Sequence, residues 1–501
     1  MRSKLSHENL AGFFASYGEI LRILQKNRGS SGWLAGGCVR DLLLGEDVKD
    51  LDITVPDQPD VRAKELLRGL GRGSLVQLGD GDDTLFRVMI DGRQVDFVSF
   101  RGGAKGIEED LVARDLTINS LAVDVDALVT GGEYKVIDVT GGCADIASGV
   151  IRHCPGAFAA DPLRMLRAYR FMTILGFRLA GDTESEIRRY GARIEECAGE
   201  RISAELHLVM AARNAERGIH GIAHSGLLAY ILPELLKGSG VTQPDFHHLD
   251  VFEHCLFALK QIDNIAAKPN TYFNCGAEEL SKYLEVEQNL LALKWAALLH
   301  DIAKPITRSV HKRELGRVTF HRHDEQGSRL CLQIGRRLRW SGQLREQVAR
   351  LVEMHMHPFH LCNVQRDEGE ISSRAALKLF RRADQHLPGL FMLSMADSLA
   401  SQGRLKPVEM ERELDELFCR VLEIRDTKVR PALAGQRLLT GRDLVDVCGL
   451  KPGPLFSTIL DELEIARVEG EVQDREGALV WVYGFLKKIE SDGRKVRPEA
   501  G

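Results

Sequence analysis

Two carboxylates two residues apart, Asp50 and Asp52, stand in the run Asp50-Leu51-Asp52-Ile53-Thr54-Val55. Strict alternation puts Asp50, Asp52 and Thr54 on one face and the three apolar residues on the other, the period of a half-buried strand. Two residues along a strand rise roughly 7 Å with both side chains on the same face. Carboxylates so placed can share a divalent ion of the Mg²⁺ type, which takes oxygen ligands and substrate phosphates. Asp is depleted in strands, so a pair in one short strand speaks against a merely solvated face. Just upstream, Trp33-Leu34-Ala35 ends a short strand, and Gly36-Gly37 lets the backbone turn sharply and approach a ligand. The helix that opens next, carrying Arg40, presents free N–H groups that can hold a phosphate. Further on, residues 86–90, Asp91-Gly92 and residues 94–100 form a hairpin pattern with a strong turn signal. Asp96 on its second strand is by itself more often a surface strand residue, but beside the first two it offers the third carboxylate that metal-dependent phosphoryl transfer uses.

A second set of candidate ligands follows. His254 sits in a helical run, His300-Asp301 closes an apolar helix over 290–299, and His323, His355 and Asp397 come later in helical surroundings. Any one of these histidines alone is more often a core or surface residue. Imidazole nitrogens gathered with carboxylates suit Mn²⁺, Fe²⁺, Ni²⁺, Co²⁺ or Zn²⁺, and one or two such ions activate water against a phosphoester. The order His…His-Asp…His…His…Asp resembles the HD phosphohydrolase superfamily.

Gly36-Gly37-Cys38-Val39-Arg40-Asp41-Leu42-Leu43-Leu44-Gly45, together with the Asp50 strand, resembles the head of class II tRNA nucleotidyltransferases and bacterial poly(A) polymerases, in the DNA polymerase beta superfamily. The resemblance implies nucleotidyl transfer from CTP or ATP to an RNA 3′ hydroxyl without a nucleic-acid template. It implies Mg²⁺ on Asp50 and Asp52, a triphosphate on Gly36, Gly37 and Arg40, and Asp96 completing the catalytic carboxylates. Arg114-Asp115-Leu116-Thr117-Ile118-Asn119 resembles the family's Arg-Arg-Asp motif, with Ala113 for the first Arg, and implies ribose and triphosphate contacts for Arg114, Asp115 and Asn119. Asp161-Pro162-Leu163-Arg164 matches a Glu-Asp-x-x-Arg motif whose Asp and Arg bond the base edge; Ala160 stands where the Glu belongs. Read by itself, Asp161 is a helix N-cap with Pro162 at the first helical position. Arg164, Arg167 and Arg170 form a basic stripe on that helix and join the nucleotide-binding candidates. Glu200-Arg201-Ile202-Ser203-Ala204-Glu205 resembles the motif that closes the family's neck, with a helix-surface Glu/Arg pair as the plain alternative.

These pieces set an α+β architecture: a small mixed-sheet nucleotidyltransferase head over 1–150, a helical neck over 151–240 for base and RNA binding, an HD domain over 241–425 and a helical tRNA-binding tail over 426–501. A lead-in helix over 9–28 carries Leu10, Phe13, Phe14, Ile20, Leu21 and Leu24. Tyr134 opens the last head strand, ending at Asp138. With 44% hydrophobic and 28% charged residues the composition is that of a soluble protein, and a net charge of −5 leaves RNA contact to local patches. Candidate patches are Arg336, Arg337, Arg339, Arg345 and Arg350, then Arg374, Lys378, Arg381 and Arg382, and Lys451 before the last helices. Ten cysteines without a Cys-x-x-Cys pair point to reduced thiols in a cytoplasm and no disulfide framework. The first nine residues lack a signal-peptide core, and the most apolar run carries Lys294, so no membrane partner is expected. Oligomeric state is not legible.

The leading expectation is a tRNA nucleotidyltransferase building the 3′ CCA end, with phosphatase or 2′,3′-cyclic phosphodiesterase activity at a transition-metal HD site. Alternatives are a CC-adding or A-adding enzyme, a poly(A) polymerase, and an HD phosphohydrolase with an inert RNA-binding head. Poly(A) polymerases usually carry Gly-Arg-Arg-Phe in the head hairpin, where this chain has Asp82-Asp83-Thr84-Leu85-Phe86-Arg87. The connection over 101–113 is short and nearly free of Arg, with Gly102, Gly103 and Gly106 to keep it mobile. That connection and Ala160 both bear on the switch from CTP to ATP in the resembled enzymes.

Overall fold

The alternating run forms strand β2, Asp50–Val55, with Leu51, Ile53 and Val55 fully buried. The computed structural model describes residues 7–26, 32–79, 84–130, 135–244, 246–311, 317–434 and 436–491. Expectations that name Asp82, Asp83 and Tyr134, the first six residues, and the tail after 491 lie outside the described residues. The chain divides into two compact units, Met1–Leu236 and Lys237–Gly501.

In the first unit β2 lies near the middle of a seven-stranded sheet of order β3-β4-β5-β2-β1-β6-β7. The other strands are β1 (Trp33–Ala35), β3 (Ser74–Leu78), β4 (Leu85–Ile90), β5 (Arg93–Ser99), β6 (Leu121–Asp124) and β7 (Ile137–Asp138). β2 and β5 run parallel and every other pair antiparallel, so the sheet is mixed. The register sets Asp52 beside Asp96 and Asp50 beside Gln94. Asp91 and Gly92 both have positive φ and join β4 to β5 in a two-residue turn, as their types require. The apolar face of β2 packs under α1 (His7–Lys26) and α3 (Pro59–Leu70) in one core. Tyr17 on α1 donates its hydroxyl to the carbonyls of Val48 (3.1 Å) and Lys49 (2.8 Å), tying down the entry to β2. The last head strand, Ile137–Asp138, is shorter at its start than the pattern predicts and ends where expected, at Asp138, whose carboxylate accepts from the amides of Gly141, Gly142 and Cys143 and leads into the next helix.

The helix expected to begin at Pro162 begins at Arg164 and runs to Leu175. Asp161 is the C-cap of the preceding short helix Ala157–Ala160, so the turn between the helices displaces the predicted N-cap. Helix Arg164–Leu175 packs on Gly199–Ala211 and Ala215–His224.

The second unit is helical. Leu387–Ala400 is apolar nearly all round and is buried accordingly; it packs on Val251–Ala267 and Glu287–Leu299, while Gly342–Met354 packs on Glu287–Leu299 and His323–Arg337. Cys275 and Cys419 form a disulfide, against the expectation of reduced thiols. They are 144 residues apart and meet because Met410–Ile424 packs beside the turn that precedes Ala277–Leu284, a contact no spacing rule exposes. The last helices close a small core of their own around Leu439, Leu444, Ile459 and Leu463. Among the described residues no helix is long and apolar enough to cross a membrane.

Gly142 opens a helix whose backbone lies against the turn Thr117–Asn119, and a Cβ there would sit 2.1 Å from the Thr117 carbonyl oxygen. Gly142→Ala should cost about 2–3 kcal/mol in urea unfolding. Gly181→Ala, where a Cβ meets nothing within 4 Å, should be neutral or stabilising.

Candidate functional sites

Each unit holds one cluster. In the first, β1 leads through Gly36 into α2 (Gly37–Leu44). Gly36 has φ +93°, and a Cβ on it would meet Arg114 Nη1 at 2.8 Å and Asp52 Oδ2 at 3.5 Å. The position therefore needs glycine for conformation and for space. Behind it stands the fully buried carboxylate of Asp110, on α4 (Ile107–Val112). It accepts from Arg114 Nε (3.1 Å), the Arg101 amide (2.9 Å) and Arg101 Nη1 (3.2 Å). Arg114 goes on to Thr54 Oγ1 (3.0 Å). Asn119 accepts from Arg40 Nη1 (2.7 Å) and donates to Asp115 (3.3 Å). Burial raises the Asp115 pKa, but the Arg167 guanidinium at 2.7 Å, with Asn119 and the Leu116 amide, outweighs it and brings it down to about 2.

These residues line a cavity of about 440 Å³ that includes Gly36, Gly37, Arg40, Asp52, Arg114, Asp115, Asn119, Asp161, Arg164 and Arg167. The sequence reading missed Arg101, Arg201 and Phe171, which line it too. Arg101 lay in a connection dismissed as mobile, and Phe171 is apolar on an apolar helix face. Its ring lies 4.8 Å under the Arg40 guanidinium. Arg170 is not brought into the cavity: it pairs with Glu205 at 3.0 Å and covers Phe171 from another side. Nor is the arginine stripe solvated, since Arg164 donates to the carbonyls of Ala113 (3.1 Å) and Arg114 (3.3 Å).

Asp50 is exposed at the start of β2, outside the cavity lining, while Asp52 faces in. Asp96, beside Asp52, has both oxygens taken by Arg87 at 2.9 Å and one by Gln94 at 3.0 Å, so the expected third carboxylate is engaged by its cross-strand neighbour. Burial, with Asp96 and Asp50 nearby, pushes Asp52 up to about 6 against the pull of Arg114 and Arg101. A carboxylate so crowded by like charge fits a divalent cation.

In the second unit His254, His300, Asp301, His323, His355 and Asp397 converge. The groups His254/His300/Asp301 and Asp301/His323/His355 each bring their donor atoms within 4.8 Å of one another, sharing Asp301. His300, His323 and His355 point Nδ1 at the carbonyls of Ala297 (2.9 Å), Phe320 (2.8 Å) and Val352 (2.7 Å). A carbonyl only accepts, so each Nδ1 carries the hydrogen, and each ring in its neutral form turns a bare Nε2 inward. The Nε2 atoms of His323 and His355 then face each other at 3.2 Å with no proton between them. That arrangement fits a cation, and the carbonyls are the outer partners that orient metal-binding imidazoles. Burial and the neighbouring imidazoles push His355 down to about 3 and keep that ring neutral, while Asp301 outweighs burial and lifts His300 above its ordinary value, so positive charge is favoured beside Asp301.

Above this cluster lies a cavity of about 650 Å³. Lys304 and His247 are among the lining residues that the sequence reading missed. Lys304, one turn past Asp301, reaches that carboxylate at 2.6 Å. His247 bonds Ser401 Oγ at 2.9 Å and sets its ring edge-on to His254. Arg336, Arg337, Arg339 and Lys451 are exposed. Part of the proposed basic track is not available: Arg374 pairs with Glu462, and Arg381 with Asp461 and Glu464, because helix Leu455–Val468 packs on Ser373–Ala383.

The shift at Asp52 sets a test. A carboxyl whose pKa is higher folded than unfolded favours the folded state at low pH, and that advantage fades as pH rises through about 6. Asp52→Asn should therefore be more stable than the parent at pH 8 in chelator, by about 1–3 kcal/mol. The difference should close toward pH 4 in urea titrations.

Residues 32–152 match the Poly A polymerase head domain, 176–238 the probable RNA and SrmB-binding site of polymerase A, and 251–399 the HD domain. The chain is similar to solved CCA-adding enzymes: one in complex with CTP (TM-score 0.64, 18% identity, 97% of this chain and 100% of that one), and one from Thermotoga maritima with tRNA (TM-score 0.56, 18% identity, 96% and 97%). At those identities the likeness shows the fold. A CC-adding tRNA nucleotidyltransferase of Thermus thermophilus is 32% identical over 92% of this chain and 96% of its own length. An A-adding tRNA nucleotidyltransferase of Deinococcus radiodurans is 34% identical over 91% and 95%. A chain that carries the paired-carboxylate sheet, the arginine-lined cavity and the HD cluster, and that matches such relatives almost end to end, belongs to the tRNA nucleotidyltransferase family.

Proposed function

We propose that the first unit adds nucleotides from CTP and ATP to the 3′ end of tRNA without a template, in the cytoplasm. The observation that carries this is the single cavity in which Asp52, the Gly36-Gly37 turn and fixed arginines meet. Gly36, Gly37, Arg40 and Arg114 hold the triphosphate, Asn119 keeps Arg40 in place and Asp110 keeps Arg114, Asp115 holds Asn119 and Arg167, and Asp161 with Arg164 faces the base. Mg²⁺ on Asp50 and Asp52 supplies charge neutralisation and lowers the pKa of the primer hydroxyl. The guanidiniums are already held by carboxylates and carbonyls, so they need little reorganisation as phosphate charge develops. Asp96 anchors Arg87 beside Asp52 and is released to the metal only if that pair opens.

The second unit is proposed to hydrolyse phosphoesters with a transition metal such as Mn²⁺, Ni²⁺, Co²⁺, Fe²⁺ or Zn²⁺. Such a metal supplies an activated water; the six ligands hold it, and Lys304 fixes the shared carboxylate of Asp301. The exposed arginines at 336, 337 and 339, with Lys451, offer contacts to an RNA backbone, weakened by salt.

A second reading is favoured for the product. The connection over 101–113 is not loose: Arg101 and Arg114 clamp Asp110, Lys105 donates its amide to Glu109, and Ile107, Asp110 and Leu111 are buried. Arg164 is held by the backbone carbonyls of Ala113, the last residue of that connection, and of Arg114, just past it. A base pocket tied in this way resists the change from one nucleotide to the other, and relatives above 30% identity include CC-adding and A-adding enzymes. On this reading addition stops at CC.

Purified protein offered tRNA lacking its end, with CTP, ATP or both, decides the product: extension by CCA, a stop at CC, or extension only of tRNA ending in CC. Asp50→Ala and Asp52→Ala should each lose at least about 10³-fold in addition rate with unchanged circular dichroism; near-normal CTP incorporation overturns the assignment. His300→Ala should abolish transition-metal-dependent hydrolysis of 2′,3′-cyclic AMP and leave nucleotide addition intact. No hydrolysis by the parent with any of these metals removes the second activity.

A further inference from the structure

The motif Glu200-Arg201 remains without a role in this account, although Arg201 lines the nucleotide cavity. It sits in the first turn of helix Gly199–Ala211, and its Nη2 donates to Asp161 Oδ2 at 2.8 Å. The other oxygen of Asp161 accepts the Leu163 amide at 3.1 Å. Among the described residues Arg201 is the one cation within ion-pair distance of this carboxylate. Arg167 and Arg170 are committed to Asp115 and Glu205. Ala160 has no side-chain group to contribute, and Arg164 is oriented by two carbonyls instead.

The Cβ–Cγ torsion of an aspartate is soft, so a carboxylate on a turn rotates unless its oxygens are held. Here both are held, one by the Leu163 amide and one by Arg201, and the plane of the group is set. Each oxygen keeps a further lone pair. A fixed carboxylate accepts from the exocyclic amino group of cytosine or adenine, and meets the carbonyl oxygen of uracil or guanine at the same edge with repulsion. We propose that Arg201 is a positioning residue that holds Asp161 as the acceptor selecting amino-bearing nucleobases. This rests on the reading of the first unit as a nucleotidyltransferase and names the source of its base selectivity. Arg201 takes over the orienting task through space, from 40 residues away in sequence.

The test measures kcat/KM for CTP against UTP, and for ATP against GTP, with whichever acceptor the parent extends. In Arg201→Ala the preference for the amino-bearing base should fall by about tenfold or more, chiefly through a raised KM for the correct nucleotide. Arg201→Lys, which keeps a donor, should recover most of it. Arg201 is about half exposed, with 53% of its side chain accessible, so its ion pair adds little to stability and both variants should melt with the parent. A preference unchanged in Arg201→Ala, or an equal loss for correct and incorrect nucleotides, overturns the role of Arg201. A parent that incorporates no nucleotide overturns the transferase reading itself, which separates the two failures.

Discussion

A buried carboxylate, Asp110, is the constraint on which the first site depends. With no exposure to water it cannot keep its charge unless cations are held against it. Arg101 and Arg114 meet that need and are thereby fixed at the cavity wall. The arrangement spreads outward through Thr54, Asn119, Arg40, Asp115 and Arg167. Structural acids inside the protein thus fix arginines at the cavity wall. The sheet supplies the frame, since the apolar face of β2 is locked in the core and its acidic face has one orientation.

The second site obeys the same logic with another chemistry. The carbonyls of Ala297 and Val352, in the last turns of their helices, and of Phe320, just before the helix that His323 opens, take the Nδ1 hydrogens, so the Nε2 atoms are the ones turned inward. Asp301 lies between the two groups, and Lys304 balances its charge from the side. The centre is unfavourable without positive charge, and the surrounding helices, Leu387–Ala400 above all, are apolar enough to keep it rigid. Specificity of geometry comes from packing, and affinity for a cation from the unpaired donors.

Much of this was legible in the residue string because the signals are local. Period two at 50–55, Asp91-Gly92 with its turn and the glycine pair at 36–37 each depend on neighbours a few residues away, while the histidine–aspartate set, spread from 254 to 397, was legible through an order that resembles a known family. The errors share a cause. Pro162 looked like a helix start, but the chain there is finishing another helix. Arg374 and Arg381 looked like an RNA track, but acids some 80 residues later cover them. The cysteines looked unpaired because Cys275 and Cys419 are joined only by helix packing.

Residue types and spacing determined by themselves that the chain has a half-buried acidic strand beside a phosphate-type turn and a helical body with a histidine–aspartate set; the family came from what those motifs resemble. Periodicity and turn chemistry act over a few residues, so a sequence displays them directly. Which arginine meets which acid was decided only by tertiary structure: Arg87 on Asp96, Arg101 and Arg114 on Asp110, Arg167 on Asp115, Arg201 on Asp161. All arginines look alike in sequence, and Coulomb attraction selects partners by distance in space and by the loss of water around them.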